Sequence, residues 1–135
     1  MKAKPILLLT ALAALALGAS AQTKPLLKNT TVKEYSLKAK SKTQMLDHVT
    51  VYDELGRKIE ETEYAVYGQK NRVVYEYEGD SRLCTREIVY NDKNSPVRIK
   101  KIEYNPDCTK HRELVYDPDG ILKSSKTYTY ETRKK

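Results

Sequence analysis

The sequence predicts an all-β fold: an antiparallel up-and-down meander of about seven strands in a single curved sheet. Three observations predict it. Tyrosine returns every 12 to 14 residues, at Tyr52, Tyr64, Tyr77, Tyr90, Tyr104 and Tyr116, with Tyr128 or Tyr130 closing the series. A turn-forming or small residue stands four places after each of the first six, at Gly56, Gly68, Ser81, Asn94, Cys108 and Gly120. The segments between these turns are about eight residues long and rich in Val, Ile, Thr and Tyr, the side chains that fit a pleated surface. A fixed period of this size marks a repeat architecture, in which each short unit is stabilised by its neighbours.

Residues 1–21 read as a leader rather than as part of the fold. Lys2 and Lys4 form a positive start, an apolar run follows from Ile6 to Leu17, and Ala19-Ser20-Ala21 supplies the small residues of a cleavage site. The run is too short to span a bilayer core of about 30 Å, so no membrane span is expected. Cleavage would leave 114 residues with 23 basic and 18 acidic side chains, a formal charge of +5. The expected location is the periplasm, the cell surface or the extracellular space.

Residues 22–43 are an N-terminal extension that includes a weak first strand at 31–37. The repeat domain occupies 44–131, with strands at 44–53, 57–66, 71–78, 82–91, 97–105, 109–117 and 121–131. A basic tail occupies 132–135. The turns carry Pro, Gly, Asn and Asp, which preset φ, accept positive φ or bond their own backbone. Pro96, Pro106 and Pro118 are all placed in turns, where a missing N–H costs no ladder bond. Connections this short cannot make parallel crossovers, so successive strands run antiparallel.

Alternation along each strand groups every tyrosine with the residue two places before it: Thr50, Thr62, Tyr75, Ile88, Ile102 and Leu114. These residues form one face, the more apolar and packed one. The residues just before each tyrosine, among them Glu63, Glu76 and Glu103, form a wetter one. The chain has no Phe and no Trp, so every aromatic ring carries a hydroxyl that needs water or a partner. Such a sheet is thin. Its tyrosine face is expected to curl into a groove or to pack on a second copy. Lys123, Lys126 and Arg133-Lys134-Lys135 discourage edge-to-edge pairing.

The basic residues alternate with Glu and Asp, so nucleic acid is not the expected partner. Cys84 and Cys108, in an oxidising compartment, are the candidates for a disulfide. The meander brings their turns to the same end. Yet Cys108 lies four residues beyond Tyr104, up to about 13 Å of extended chain, so a bond within about 7 Å requires the turn to fold back. Two thiols without a matched histidine pair do not make a metal site, and no cofactor is implied. His48 and His111 are the titratable candidates near neutral pH. Asp47, adjacent to His48, points to the opposite face and cannot orient it. Glu60, Glu61 and Glu63, then Glu76, Glu78 and Asp80, could supply the paired carboxylates of a glycosidase, but cross-strand ion pairing explains them more simply. A tyrosine-lined sheet can stack sugar rings or dock a protein. The candidate binding residues are Tyr64, Tyr75, Tyr90, Tyr104 and Tyr116.

Tyr52-Asp53-Glu54-Leu55-Gly56-Arg57 resembles the Tyr-Asp-x-x-Gly-Arg core of the YD (RHS-type) repeat. Tyr116-Asp117-Pro118-Asp119-Gly120 resembles it as far as the glycine, with Ile121 in place of the arginine, and Tyr104-Asn105-Pro106-Asp107-Cys108 keeps the spacing. The likeness covers roughly residues 44–131. It implies an extended β-sheet and an exported setting, associated in that family with carbohydrate binding or toxin delivery. About six units are too few to enclose a cargo. The chain also resembles small secreted β-repeat proteins of Gram-negative bacteria. The expectation is therefore an exported, non-catalytic β-repeat module that binds a protein or glycan or is structural at the cell envelope. The alternative is a small periplasmic glycan-acting enzyme.

Overall fold

The computed structural model describes residues 26–133. The leader assigned to residues 1–21 and the last two residues of the basic tail lie outside them. Eight strands follow in chain order: β1 (Thr31–Ser36), β2 (Met45–Tyr52), β3 (Lys58–Ala65), β4 (Gly68–Tyr77), β5 (Cys84–Tyr90), β6 (Pro96–Tyr104), β7 (Lys110–Tyr116) and β8 (Leu122–Thr127). They form one open sheet in sequence order, and each strand pairs antiparallel with the next. The weak segment at 31–37 is a full edge strand, which makes eight rather than seven. Pro96 opens β6 opposite Tyr90 instead of lying in the turn, an allowed place because a first strand residue need not donate to the ladder.

One turn design serves four of the hairpins. The residue after the tyrosine, Asp53, Asn91, Asn105 or Asp117, donates its N–H to the carbonyl four places on and accepts the N–H three places on. In three of them its side-chain Oδ1 also accepts two backbone N–H groups: Leu55 and Arg57 on Asp53, Lys93 and Ser95 on Asn91, Asp119 and Ile121 on Asp117. The residue four places after the tyrosine is left-handed, with φ of 77° at Gly56, 62° at Asn94, 73° at Cys108 and 86° at Gly120. The divergent repeats therefore fold as the regular ones do. Asn and Cys occupy a conformation that glycine adopts without strain.

Each strand pair contains one register slip, and at the six hairpins the slip falls beside the tyrosine. Val51 faces Glu60 but Tyr52 faces Lys58, which leaves Ile59 extra. The same slip leaves Lys70, Thr85, Val97, His111 and Lys123 extra in the next five hairpins. A one-residue bulge exchanges the two faces of every residue beyond it. The single tyrosine face expected from the sequence is thereby corrected. Tyr52, Tyr75, Tyr77 and Tyr104 lie on one side of the sheet, face I. Tyr64, Tyr90 and Tyr116 lie on the other, face II. The acidic residues assigned to one wet face divide too, with Glu63 on face I and Glu76 and Glu103 on face II.

Neither face builds a thick core. Among the described residues, the buried apolar side chains are Ile102 and Leu114, at 6% and 8% exposure, one on each face. Glu113 is buried opposite Ile102, and Thr50 and Thr62 are buried on β2 and β3 at the other end of the sheet. Face I adds a repeating tyrosine tether. The hydroxyls of Tyr77, Tyr104 and Tyr130 donate to the carbonyls of Lys58, Cys84 and Lys110 at 2.6, 2.6 and 2.8 Å. Each acceptor is the residue that faces the previous tyrosine at that end of the sheet. Burial pushes the Tyr77 phenol up to about 12 and raises that of Tyr104, so both remain donors at any physiological pH.

Candidate functional site

Face II carries the more continuous apolar strip. Val51, Glu60, Val74, Ile88, Ile99 and Tyr116 face one another in register across β2 to β7. All but Glu60 are apolar or aromatic. Beside this row, Tyr90 faces Arg72, whose guanidinium lies 4.1 Å from the ring centroid. Arg72 is held there by Glu60 at 3.2 Å and by the Asn94 side-chain oxygen at 2.9 Å. One side of the Tyr90 ring is thus covered by a fixed cation, a favourable arrangement for both groups.

At the C-terminal end of the strip an open groove of about 490 Å³ is lined by Arg86, Ile99, Lys101, Tyr116 and Gly120. Its chemistry is an apolar wall and an aromatic ring flanked by two cations. Lys101 has no carboxylate partner among the described residues, and Arg86 is shared with Glu76 at 3.2 Å on the exposed surface. The hydroxyls of Tyr64 and Tyr116 likewise have no partner among the described residues. Of the five candidate tyrosines, Tyr116 combines this groove position with an uncommitted hydroxyl.

Face I presents a closed set of polar contacts. Glu61 receives the Lys58 ammonium at 2.7 Å, the His48 ring at 3.0 Å and the Tyr75 hydroxyl. The Lys58 ammonium also lies 4.8 Å from the Tyr75 ring centroid. Burial would raise the Glu61 carboxyl, but Lys58, Tyr75 and His48 together hold it below the usual glutamate range. Burial and the neighbouring carboxylate raise the Tyr75 phenol. Tyr75 and Tyr104 are therefore committed to internal acceptors and do not join Tyr64, Tyr90 and Tyr116 in one surface.

His48 does have a carboxylate neighbour, from β3 rather than from Asp47. It faces Glu63 directly and reaches Glu61 on the diagonal, two residues along the same face. Only the strand register could have disclosed this contact. His111 is exposed at the slip before Arg112, and its carbonyl accepts the Tyr128 N–H. Among the other acidic candidates, Glu78 and Asp80 have no cation partner among the described residues, whereas Glu76 pairs with Arg86. Glu60 pairs with Arg72, Glu63 with Lys70 at 3.5 Å, and Glu103 with Arg112 through two contacts at 2.9 and 3.1 Å. The Asn71 amide and the Lys70 charge lower the Glu63 carboxyl. The Lys110 hydrogen bond lowers that of Glu113.

The disulfide candidates are free thiols, Cys84 half-buried and Cys108 exposed. Cys84 donates weakly to the Arg86 carbonyl at 3.3 Å, and burial raises its pKa. Cys108 is fixed in the left-handed turn position beyond Tyr104, and that turn does not fold back over the sheet to Cys84. Among the described residues no group of three His, Cys, Asp or Glu side chains converges on a metal position, and no helix is long and apolar enough to cross a membrane.

Arg57 of the Tyr-Asp-x-x-Gly-Arg motif is a stitch between turns. Its Nε donates to Asp53 at 2.8 Å, its Nη1 donates to the carbonyls of Gly79 and Ser81, and its guanidinium lies over the Tyr77 ring. Arg82 returns a bond to the Leu55 carbonyl at 2.9 Å. No family model matches the chain, and no curated protein matches it.

Proposed function

We propose that the protein is an exported, non-catalytic β-repeat module whose face II binds an external glycan. The observation that carries this reading is the open groove at Tyr116. It offers a ring for stacking a sugar face, with Ile99 beside it and Arg86 and Lys101 at its rim as hydrogen-bond donors. An extended polymer can lie along the strip from Val51 to Tyr116 without entering a cleft. The leader pattern in residues 1–21 supports export, and the tyrosine-turn motif supports kinship with YD-type repeats.

The carboxylates favour binding over hydrolysis. A glycosidase needs one carboxyl group kept protonated near neutral pH. Glu61, Glu63 and Glu113 are instead lowered and held by cations or amides.

A panel of neutral and acidic polysaccharides, tested by affinity electrophoresis and by release of reducing ends, checks both parts. Retardation without new reducing ends is expected, with at least a tenfold loss of affinity in Tyr116→Ala and in Lys101→Ala. New reducing ends would establish the enzyme instead. Unchanged affinity in both variants would remove face II as the binding surface.

A further inference from the structure

The two edges of the sheet are complementary to one another. The sheet has eight strands in one antiparallel order, so β1 and β8 run in opposite directions. A second copy shifted sideways can therefore place its β1 against β8 of the first, and the antiparallel alternation continues without a break. Both edge strands are exposed over most or all of their length.

The backbone phase fits as well. Tyr52 N–H bonds the Thr30 carbonyl. By alternation Val32 and Glu34 turn their backbone groups toward β2, while Thr31 and Lys33 turn theirs outward. Tyr128 N–H bonds the His111 carbonyl, so Ser124 and Lys126 turn toward β7 and Ser125 and Thr127 turn outward. Outward residues must face outward residues for a ladder to form. One register that satisfies this places Lys33 opposite Thr127 and Tyr35 opposite Ser125 of a second copy. On the neighbouring positions it brings Glu34 opposite Lys126, Val32 opposite Tyr128 and Ser36 opposite Ser124. Glu34 and Lys126 both lie on face I, as the strand registers require. A directly opposed unlike pair is favourable across strands, and this register opposes no like charges.

The two-fold alternatives are poorer. Two β8 edges bring Lys123 and Lys126 of both copies to one seam. Two β1 edges centred on each other oppose Lys33 to Lys33 or Glu34 to Glu34. The lysines on β8 thus resist another β8 and accept the acidic position of β1.

We propose that copies of this chain associate head to tail through their sheet edges, β8 of one against β1 of the next, with Glu34 facing Lys126. This differs from the face-to-face packing expected from the sequence, and it does not depend on the ligand of face II. A heterologous contact of this kind is open-ended, so the assembly is a row rather than a closed dimer.

Sedimentation velocity over a hundredfold range of protein concentration, at low salt, tests the proposal with charge-swapped variants. The purified protein should sediment faster as concentration rises. Glu34→Lys and Lys126→Glu, each checked for an unchanged strand spectrum by circular dichroism, should each stay monomeric. Each now opposes like charges at its own seam. Mixing them in equal amounts should restore the fast-sedimenting species, because every seam in an alternating row is again Glu against Lys. Ser125→Pro removes an outward N–H without touching the β7 ladder and should also stay monomeric. A wild-type protein that is monomeric throughout, single variants that assemble as the wild type does, or a mixture that does not recover assembly would each overturn the proposal.

Discussion

Gly56, Asn94, Cys108 and Gly120 share one left-handed turn position, and only two of them are glycine. A side chain there costs about 1–2 kcal/mol, offset in part by the greater chain entropy that glycine loses on folding. Cys108→Gly should therefore raise the urea unfolding free energy by about 0.5–1 kcal/mol. Gly120→Ala should lower it by a similar amount, about 0.5–1 kcal/mol, although open space surrounds the added methyl, because the cost is torsional. The cysteines also differ in access. Cys108 is exposed, while Cys84 is half-buried with its pKa raised. A thiol reagent should modify one cysteine rapidly in the native protein and the second only after denaturation. Two slow thiols, or none in denatured protein without reductant, would contradict the arrangement of free cysteines.

Each strand is held to the next by polar side chains as much as by apolar contact. Tyr104 lies on β6 and its hydroxyl bonds the Cys84 carbonyl of β5. Tyr104→Phe should lose about 1 kcal/mol of stability, whereas Tyr116→Phe should lose almost none, since its hydroxyl has no partner among the described residues. Glu61 joins β2, β3 and β4 through His48, Lys58 and Tyr75. Its folded pKa lies below the unfolded value, near 4.5. Its stabilisation is therefore complete above that value and is lost as pH falls through the folded pKa. Thermal melts from pH 7 down to pH 2 should show a steep acid loss, made shallower in Glu61→Gln.

The strands themselves were readable from tyrosine spacing and turn residues, because both are local properties. Which residues share a face was not. That depends on a one-residue slip at each hairpin, and Ile59 or Val97 looks like any other strand residue in the sequence. The His48–Glu61 contact and the Tyr116 groove were hidden for the same reason, since both follow from register.

At the scale of the whole molecule, the described strands contact only their sequence neighbours. Stability in such a chain is approximately a sum of neighbouring-pair terms rather than the property of one core. The interior pairs combine ladder bonds with their tyrosine tethers, the Arg57 stitch and the buried Ile102 and Leu114. An edge strand in the monomer has a partner on one side only. Native-state hydrogen exchange of the monomeric Glu34→Lys variant should therefore be graded along the sheet. Amides of β4 to β6 should exchange slowest, by global unfolding, and those of β1 and β8 fastest, by local fraying. The gradient also reaches the buried residues. Ile102→Ala should accelerate exchange in β5 to β7 more than in β1 and β2, because its loss is felt through the strands it touches. Uniform protection from β1 to β8 in that monomer, or equal acceleration everywhere in Ile102→Ala, would mean that the sheet unfolds as one cooperative unit and that the neighbour-by-neighbour account is wrong.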